Sequence, residues 1–221
     1  TLSCEVYYKK MNSYQNILFD LDGTITDSEK GITNSVAYAL QKFDIHVESP
    51  NELRKFIGPP LHDSFESYYQ FSRNDAKKAI EYYREYYNDR GIFENYVFDG
   101  ISDLLHQLKL KDKDLIVATS KPEYYANIII KHFKLDDYFN LVVGSNLDGT
   151  RAKKNEIIEH VMNTLEIKHP NDSIMIGDRE FDILGAKHHQ MKSIGVLFGF
   201  GSKEELENAG ADHIVNTVQD L

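Results

Sequence analysis

Ile17-Leu18-Phe19-Asp20-Leu21-Asp22-Gly23-Thr24 is the stretch on which the reading of this 221-residue chain turns. Three apolar residues bounded by polar ones read as a short buried strand. Two acids follow, two positions apart. A strand's two-residue period aims both carboxylates the same way only while the backbone stays extended. Gly23 permits a sharp turn and a close approach of backbone to a ligand. Desolvating two carboxylates together is costly unless a cation or protons compensate. A bare Asp-x-Asp is also how a strand end looks when it runs into a polar turn, so the rest of the chain must decide.

Working outward, similar apolar runs recur at Leu115-Ile116-Val117-Ala118, Leu141-Val142-Val143, Ile174-Met175-Ile176, Ser193-Ile194-Gly195-Val196 and His213-Ile214-Val215. Helical spacing separates them, as in Ile101, Leu104, Leu105 and Leu108, and in Ile157, Ile158, Val161, Met162 and Leu165. Strands alternating with helices predict an α/β fold with a parallel sheet, whose sites lie at the carboxyl ends of the strands. Residues 28–97 break the alternation. Ile32, Val36, Leu40 and Phe43 mark one amphipathic helix, with Thr26 and Glu29 at capping-box spacing. Residues 74–90 form a second, carrying Tyr82, Tyr83, Tyr86 and Tyr87 at core-packing spacing, and Ile57-Gly58-Pro59-Pro60 is a turn. The expected organisation is therefore a core of residues 12–27 and 98–221, with a helical domain inserted as residues 28–97.

A second group of acids follows the expected fourth strand, in Ile176-Gly177-Asp178-Arg179-Glu180-Phe181-Asp182. Asp178 and Asp182, four apart, would share a face of a helix starting there, a place that also favours acids through the macrodipole. With Asp20 and Asp22 at another strand's carboxyl end, a magnesium site accounts for both pairs, since magnesium takes oxygen ligands. The run Ala118-Thr119-Ser120-Lys121-Pro122-Glu123 places Ser120 and Glu123 at capping-box spacing and Pro122 in a first helical turn, where exposed amides can hold an anion. Arg151, Lys153 and Lys154 form a basic cluster after the expected third strand. The histidines show no metal-ligand spacing, and His188-His189 reads as an exposed helix end.

A formal net charge of −10 repels nucleic acid and anionic lipid at long range, and leaves a phosphate site to supply its own positive field. No apolar run approaches the roughly 18 to 20 residues of a membrane span. Cys4 is the single cysteine, which excludes an internal disulfide and suits a reducing, cytoplasmic setting. Residues 1–10 precede Met11 without a signal peptide's basic start and long apolar run, and read as an added leader or a native tail.

In these motifs the chain resembles the haloacid dehalogenase-like hydrolases, specifically the phosphoglycolate phosphatase and 5′-nucleotidase branch with a helical cap. The resemblance runs from about Asn16 to the C-terminus. Asp20-Leu21-Asp22-Gly23-Thr24 is similar to the first motif, Thr119 to the second, a lysine near 154 to the third, and Gly177-Asp178 with Asp182 to the fourth. Lys154, which opens an apolar helix, is the better match than Lys153. The resemblance implies a Rossmann-like parallel sheet and a magnesium-dependent phosphomonoesterase, a monomer or homodimer acting on a small phosphorylated metabolite. It implies Asp20 as nucleophile, Asp22 as acid and base, and magnesium held by Asp20, the Asp22 carbonyl and Asp178. Asp182 would act directly or through a water, with Thr119, Ser120 and Lys154 on the phosphate.

Asp22 argues against a dehalogenase or a phosphonatase. A sugar phosphomutase or a pyrophosphatase of the same superfamily keeps both acids and stays open, as does a phosphoacceptor or regulatory module. In the insert, Arg54 and the Gly58-Pro59-Pro60 loop are candidates for specificity.

Overall fold

The computed structural model describes residues 13–221, so Cys4, the residues before Met11 and position 12 of the expected core lie outside the described residues. In chain order the elements are β1 (Asn16–Phe19), β2 (Thr26–Asp27), α1 (Glu29–Gln41), α2 (Leu61–Tyr69), α3 (Arg73–Asp89) and β3 (Tyr96–Val97). There follow α4 (Ile101–Lys109), β4 (Asp114–Pro122), α5 (Glu123–His132), β5 (Leu141–Ser145) and α6 (Lys154–Thr164). The chain closes with β6 (Ser173–Gly177), α7 (Glu180–His188), β7 (Lys192–Val196), α8 (Lys203–Ala209) and β8 (His213–Val215). It divides into two compact units, one of the chain up to Thr26 with Val97–Leu221, the other of Asp27–Tyr96.

The first unit carries a six-stranded sheet in the order β5-β4-β1-β6-β7-β8, and each neighbouring pair is parallel. Phe19 stands opposite Val117 on one side and Ile176 on the other. Ile17, Leu18, Phe19, Ile116, Val117, Met175 and Ile176 are fully buried, which is why their runs are continuously apolar rather than alternating. Leu18, Ile116, Ala118, Val143 and Met175 pack with Ile157, Ile158 and Val161 of α6 in one cluster. From β1 the chain steps outward through β4 to β5, then returns to β6 on the other side and continues to β7 and β8. The strand order thus reverses about β1, and a crevice at the carboxyl ends follows from that reversal.

The second unit is helical, apart from the residues of β2 and β3 at its ends. Phe56 packs edge-on against Phe65 with centroids 5.0 Å apart, and Phe43 packs at a tilt against Phe71 at 4.6 Å. On α3, Tyr83 and Tyr87 are buried and stacked 5.2 Å apart, so these tyrosines belong to the unit's own core. Arg54 lies in a 3₁₀ turn, Pro50–Phe56, with Nε 3.3 Å from Glu29 Oε2, and Gly58 follows at φ +106°.

Two expected caps do not form. Thr26 lies in β2, where its hydroxyl donates to the Leu21 carbonyl at 3.5 Å. Asp27 takes its place, with Oδ1 accepting from Glu29 N at 3.0 Å. Ser120 does not cap α5 either, because β4 runs on to Pro122, which itself occupies the N-cap position with no side-chain bond.

Candidate active site

The turn after β1 separates the two acids of the opening motif. Asp20 N donates to Ile176 O at 2.9 Å, which carries the sheet pairing one residue past β1. The chain then folds back. The Leu21 carbonyl accepts from the amides of Thr24, Ile25 and Thr26 at 3.3, 3.0 and 3.0 Å, and Gly23 N donates to Thr26 O at 2.7 Å. The two carboxylates consequently meet different lysines. Asp20 Oδ1 accepts from Lys154 Nζ at 2.9 Å, and Asp22 Oδ2 from Lys121 Nζ at 2.7 Å.

Lys154 is the buried lysine of its cluster, while Lys153 is exposed at the N-cap position of α6. Its ammonium also lies 2.7 Å from Asp182 Oδ1 and donates to the Ala118 carbonyl at 2.9 Å. Asp178 does not share a helical face with Asp182, as their spacing suggested. It lies in the turn before α7, while Asp182 sits in the first helical turn, where Oδ2 accepts from Arg179 N at 3.1 Å. The two carboxylates converge because glycines make room for them. A Cβ on Gly177 would run into the Asp182 carboxyl, and one on Gly23 or Gly199 into Asp178. Asp178 Oδ2 further accepts from Phe200 N at 2.8 Å. One oxygen each from Asp20, Asp178 and Asp182 lie within 4.8 Å of one another.

Three buried carboxylates thus cluster together, and one ammonium pairs with two of them. Burial raises Asp178 well above the usual carboxylate range, and repulsion from Asp182 and Asp20 raises it further. Asp182 is pushed up to about 6 by burial, against the pull of Lys154. Lys154 is held above its ordinary value; burial opposes its charge, but Asp182 and Asp20 outweigh that cost. A cluster left with excess buried negative charge, made only of hard oxygen donors, fits a divalent cation such as magnesium. A second group, His62, Asp63 and Glu66, lies on α2 with His62 Nδ1 3.6 Å from Glu66 Oε2, closer than the histidine spacing suggested. Asp63 of this group is exposed, and His62 and Glu66 are half-buried.

Thr119 is buried near the end of β4, where its hydroxyl oxygen accepts from Lys121 N at 3.3 Å. Ser120 is half-buried beside it. His189 is less exposed than expected, with Nε2 2.8 Å from the Asn155 carbonyl. Sequence reasoning missed Lys121 as a partner of Asp22, and missed the Gly199-Phe200-Gly201 loop around Asp178. The alternating glycines after β7 were the available signal for that loop. Of the basic cluster, Arg151 donates from its guanidinium to the Gly144 carbonyl at 3.0 Å and to Glu123 Oε2 at 2.8 Å, joining the end of β5 to the start of α5.

Residues 17–196 match the haloacid dehalogenase-like hydrolase family. A 5′-nucleotidase of Pseudomonas aeruginosa is 46% identical over 195 residues, 87% of each chain. A tyrosine-protein kinase of Mycobacterium tuberculosis is 33% identical over 95% of this chain and 72% of its own. The crystal structure of a predicted phosphatase from Clostridium acetobutylicum superposes with a TM-score of 0.91 at 54% identity, covering 94% of this chain and 95% of that one.

Proposed function

The chain belongs to the haloacid dehalogenase-like hydrolases, and we propose that it hydrolyses a small phosphomonoester through an aspartyl-phosphate on Asp20. It is an enzyme of the phosphatase kind. The observation that carries the reading is the buried Lys154 bridging Asp20 and Asp182, with Asp178 beside them.

In the first step an Asp20 carboxylate oxygen bonds to phosphorus as the ester P–O bond breaks, and the Asp22 carboxyl gives its proton to the leaving oxygen. In the second, water attacks phosphorus, Asp22 takes its proton, and inorganic phosphate leaves Asp20. Lys154 opposes negative charge on the transferring oxygens. Because the Thr119 oxygen accepts from Lys121 N, its O–H is left to donate to a phosphoryl oxygen. Ser120 and the amides after Asp20 and Thr119 complete that cradle. A magnesium ion would be held by the Asp20 and Asp178 carboxylates and the Asp22 carbonyl, with Asp182 joining directly or through water, and would supply further positive charge against the phosphoryl oxygens. The inserted helical residues 28–97 are read as the cap domain that the family resemblance implies, whose residues would set the choice of small substrate.

The 5′-nucleotidase relative supports a nucleoside 5′-monophosphate as the first ester to try. Phosphate release is measured from a panel of nucleoside 5′-monophosphates, 2-phosphoglycolate, sugar phosphates and pyrophosphate, with magnesium and with chelator. Magnesium-dependent release that disappears in Asp20→Asn is expected. Release that survives Asp20→Asn removes the nucleophile assignment, and no release from any ester removes the hydrolase reading.

A further inference from the structure

Lys121 is held out of α5. Strand β4 continues through it to Pro122, and the register against β5 shifts between Ala118 and Pro122. The segment is fastened on both sides: Lys121 N donates to the Thr119 hydroxyl, and Glu123 is gripped by Arg151 and by Gly144 N at 3.3 Å. The side chain this backbone carries is 6% exposed, and its ammonium lies 2.7 Å from Asp22 Oδ2. Ordering and desolvating a lysine is expensive, and an ion pair alone repays that poorly. The other oxygen of the same carboxylate, Asp22 Oδ1, is buried without a hydrogen-bond partner among the described residues. A buried carboxylate oxygen in that state calls for an explanation.

We propose that Lys121 is a positioning residue for Asp22. By holding Oδ2 it fixes the rotamer of the carboxyl group and leaves Oδ1 as the oxygen that exchanges protons. In the first step the Oδ1–H bond breaks and an O–H bond forms on the leaving alcohol while phosphorus passes from the ester oxygen to Asp20. In the second step Oδ1 takes the proton of the attacking water. Lys121 gives up no proton in either step. The division of labour between the two buried lysines follows: Lys154 serves the phosphoryl group, and Lys121 acts through Asp22. This inference rests on the reading given under Proposed function.

The test compares the first chemical step on two esters. A nucleoside 5′-monophosphate has an alkoxide leaving group that needs a proton, whereas the leaving group of p-nitrophenyl phosphate does not. Single-turnover release of nucleoside and of p-nitrophenol is followed in the wild-type chain, Lys121→Met, Lys121→Arg, Asp22→Asn and the double variant Asp22→Asn/Lys121→Met. Thermal unfolding of each identifies the folded variants. Lys121→Met is expected to slow the alkyl ester by roughly 100-fold, the lower end of what a placed general acid contributes. It should slow the aryl ester by less than about threefold, because little of that acid catalysis is at stake there. The double variant should be no slower than Asp22→Asn, and Lys121→Arg should recover part of the alkyl rate. Equal losses on both esters, an additive double variant, or an undiminished alkyl rate would overturn the role. If Lys121→Met does not fold, the same ester comparison in Lys121→Arg against the wild type decides it. Wild-type chain inactive on both esters would instead overturn the hydrolase reading, and this role with it.

Discussion

Gly23 and Gly149 share a left-handed backbone, at φ +86° and +87°, but not their surroundings. A Cβ at Gly149 meets nothing within 4 Å, whereas one at Gly23 would run into the Asp178 carboxyl. Alanine at Gly149 should therefore cost only the backbone term, about 1–2 kcal/mol. Alanine at Gly23 adds displacement of a proposed metal ligand. The expected result is a larger fall in urea midpoint for Gly23→Ala, with magnesium-dependent phosphate release down at least about tenfold, one decade per 1.4 kcal/mol of lost transition-state stabilisation. Gly149→Ala should keep its activity. Indistinguishable variants would show that the glycine at 23 serves the turn alone.

At the scale of the element, α3 decides between two uses of its tyrosines. Tyr83 and Tyr87 stack in the interior of the helical unit, while Tyr82 meets Phe43 edge-on at 6.1 Å and Tyr86 meets Tyr38 at 5.7 Å. All four are engaged within the unit, which makes packing their role. Tyr83→Ala should destabilise the chain by about 3–5 kcal/mol, as large aromatic deletions in a core do. Glu81→Ala, on the exposed face with Lys78 as ion partner, should leave stability nearly unchanged. Equilibrium unfolding measures both. A Tyr83→Ala chain of wild-type stability but raised KM would point to substrate stacking instead.

For the whole molecule, the buried acids set a pH dependence. Asp182, raised to about 6 in the folded chain, binds its proton more tightly there than in the unfolded chain. Folding is then favoured when that proton is present, and stability is lost as pH rises through about 6. In chelator, lowering the pH from 7.5 to 5 should raise the melting temperature of the wild-type chain relative to Asp182→Asn. At roughly 2–4 °C per kcal/mol for a chain of this size, the difference is measurable. Magnesium at pH 7.5 should stabilise the wild-type chain and release protons as it binds. A wild-type chain that loses more stability than Asp182→Asn on acidification would reverse the sign of the argument.

Local chemistry and periodicity made much of this protein legible from its residues alone. Six apolar runs marked the six strands of the sheet, most plainly in β1 and β6, which are buried on both faces and must be continuously apolar. Asp20, Asp22, Asp178 and Asp182 stood out because acids placed just after such strands fall at or near their carboxyl ends, whereas Lys154, in a basic cluster beyond β5, stood out through the family resemblance. Tertiary structure alone decided the pairings. Lys153 and Lys154 are neighbours in sequence, yet of the two Lys154 is the buried one, because Lys153 is the extended N-cap residue and Lys154 the first residue of α6, so their side chains leave the backbone in different directions. Asp22 and Asp20, two residues apart, separated to Lys121 and Lys154 because the turn at Gly23 ends the strand's two-residue period. Partners 99 and 134 positions away leave no trace in local spacing, since what joins them is the order of strands in the sheet.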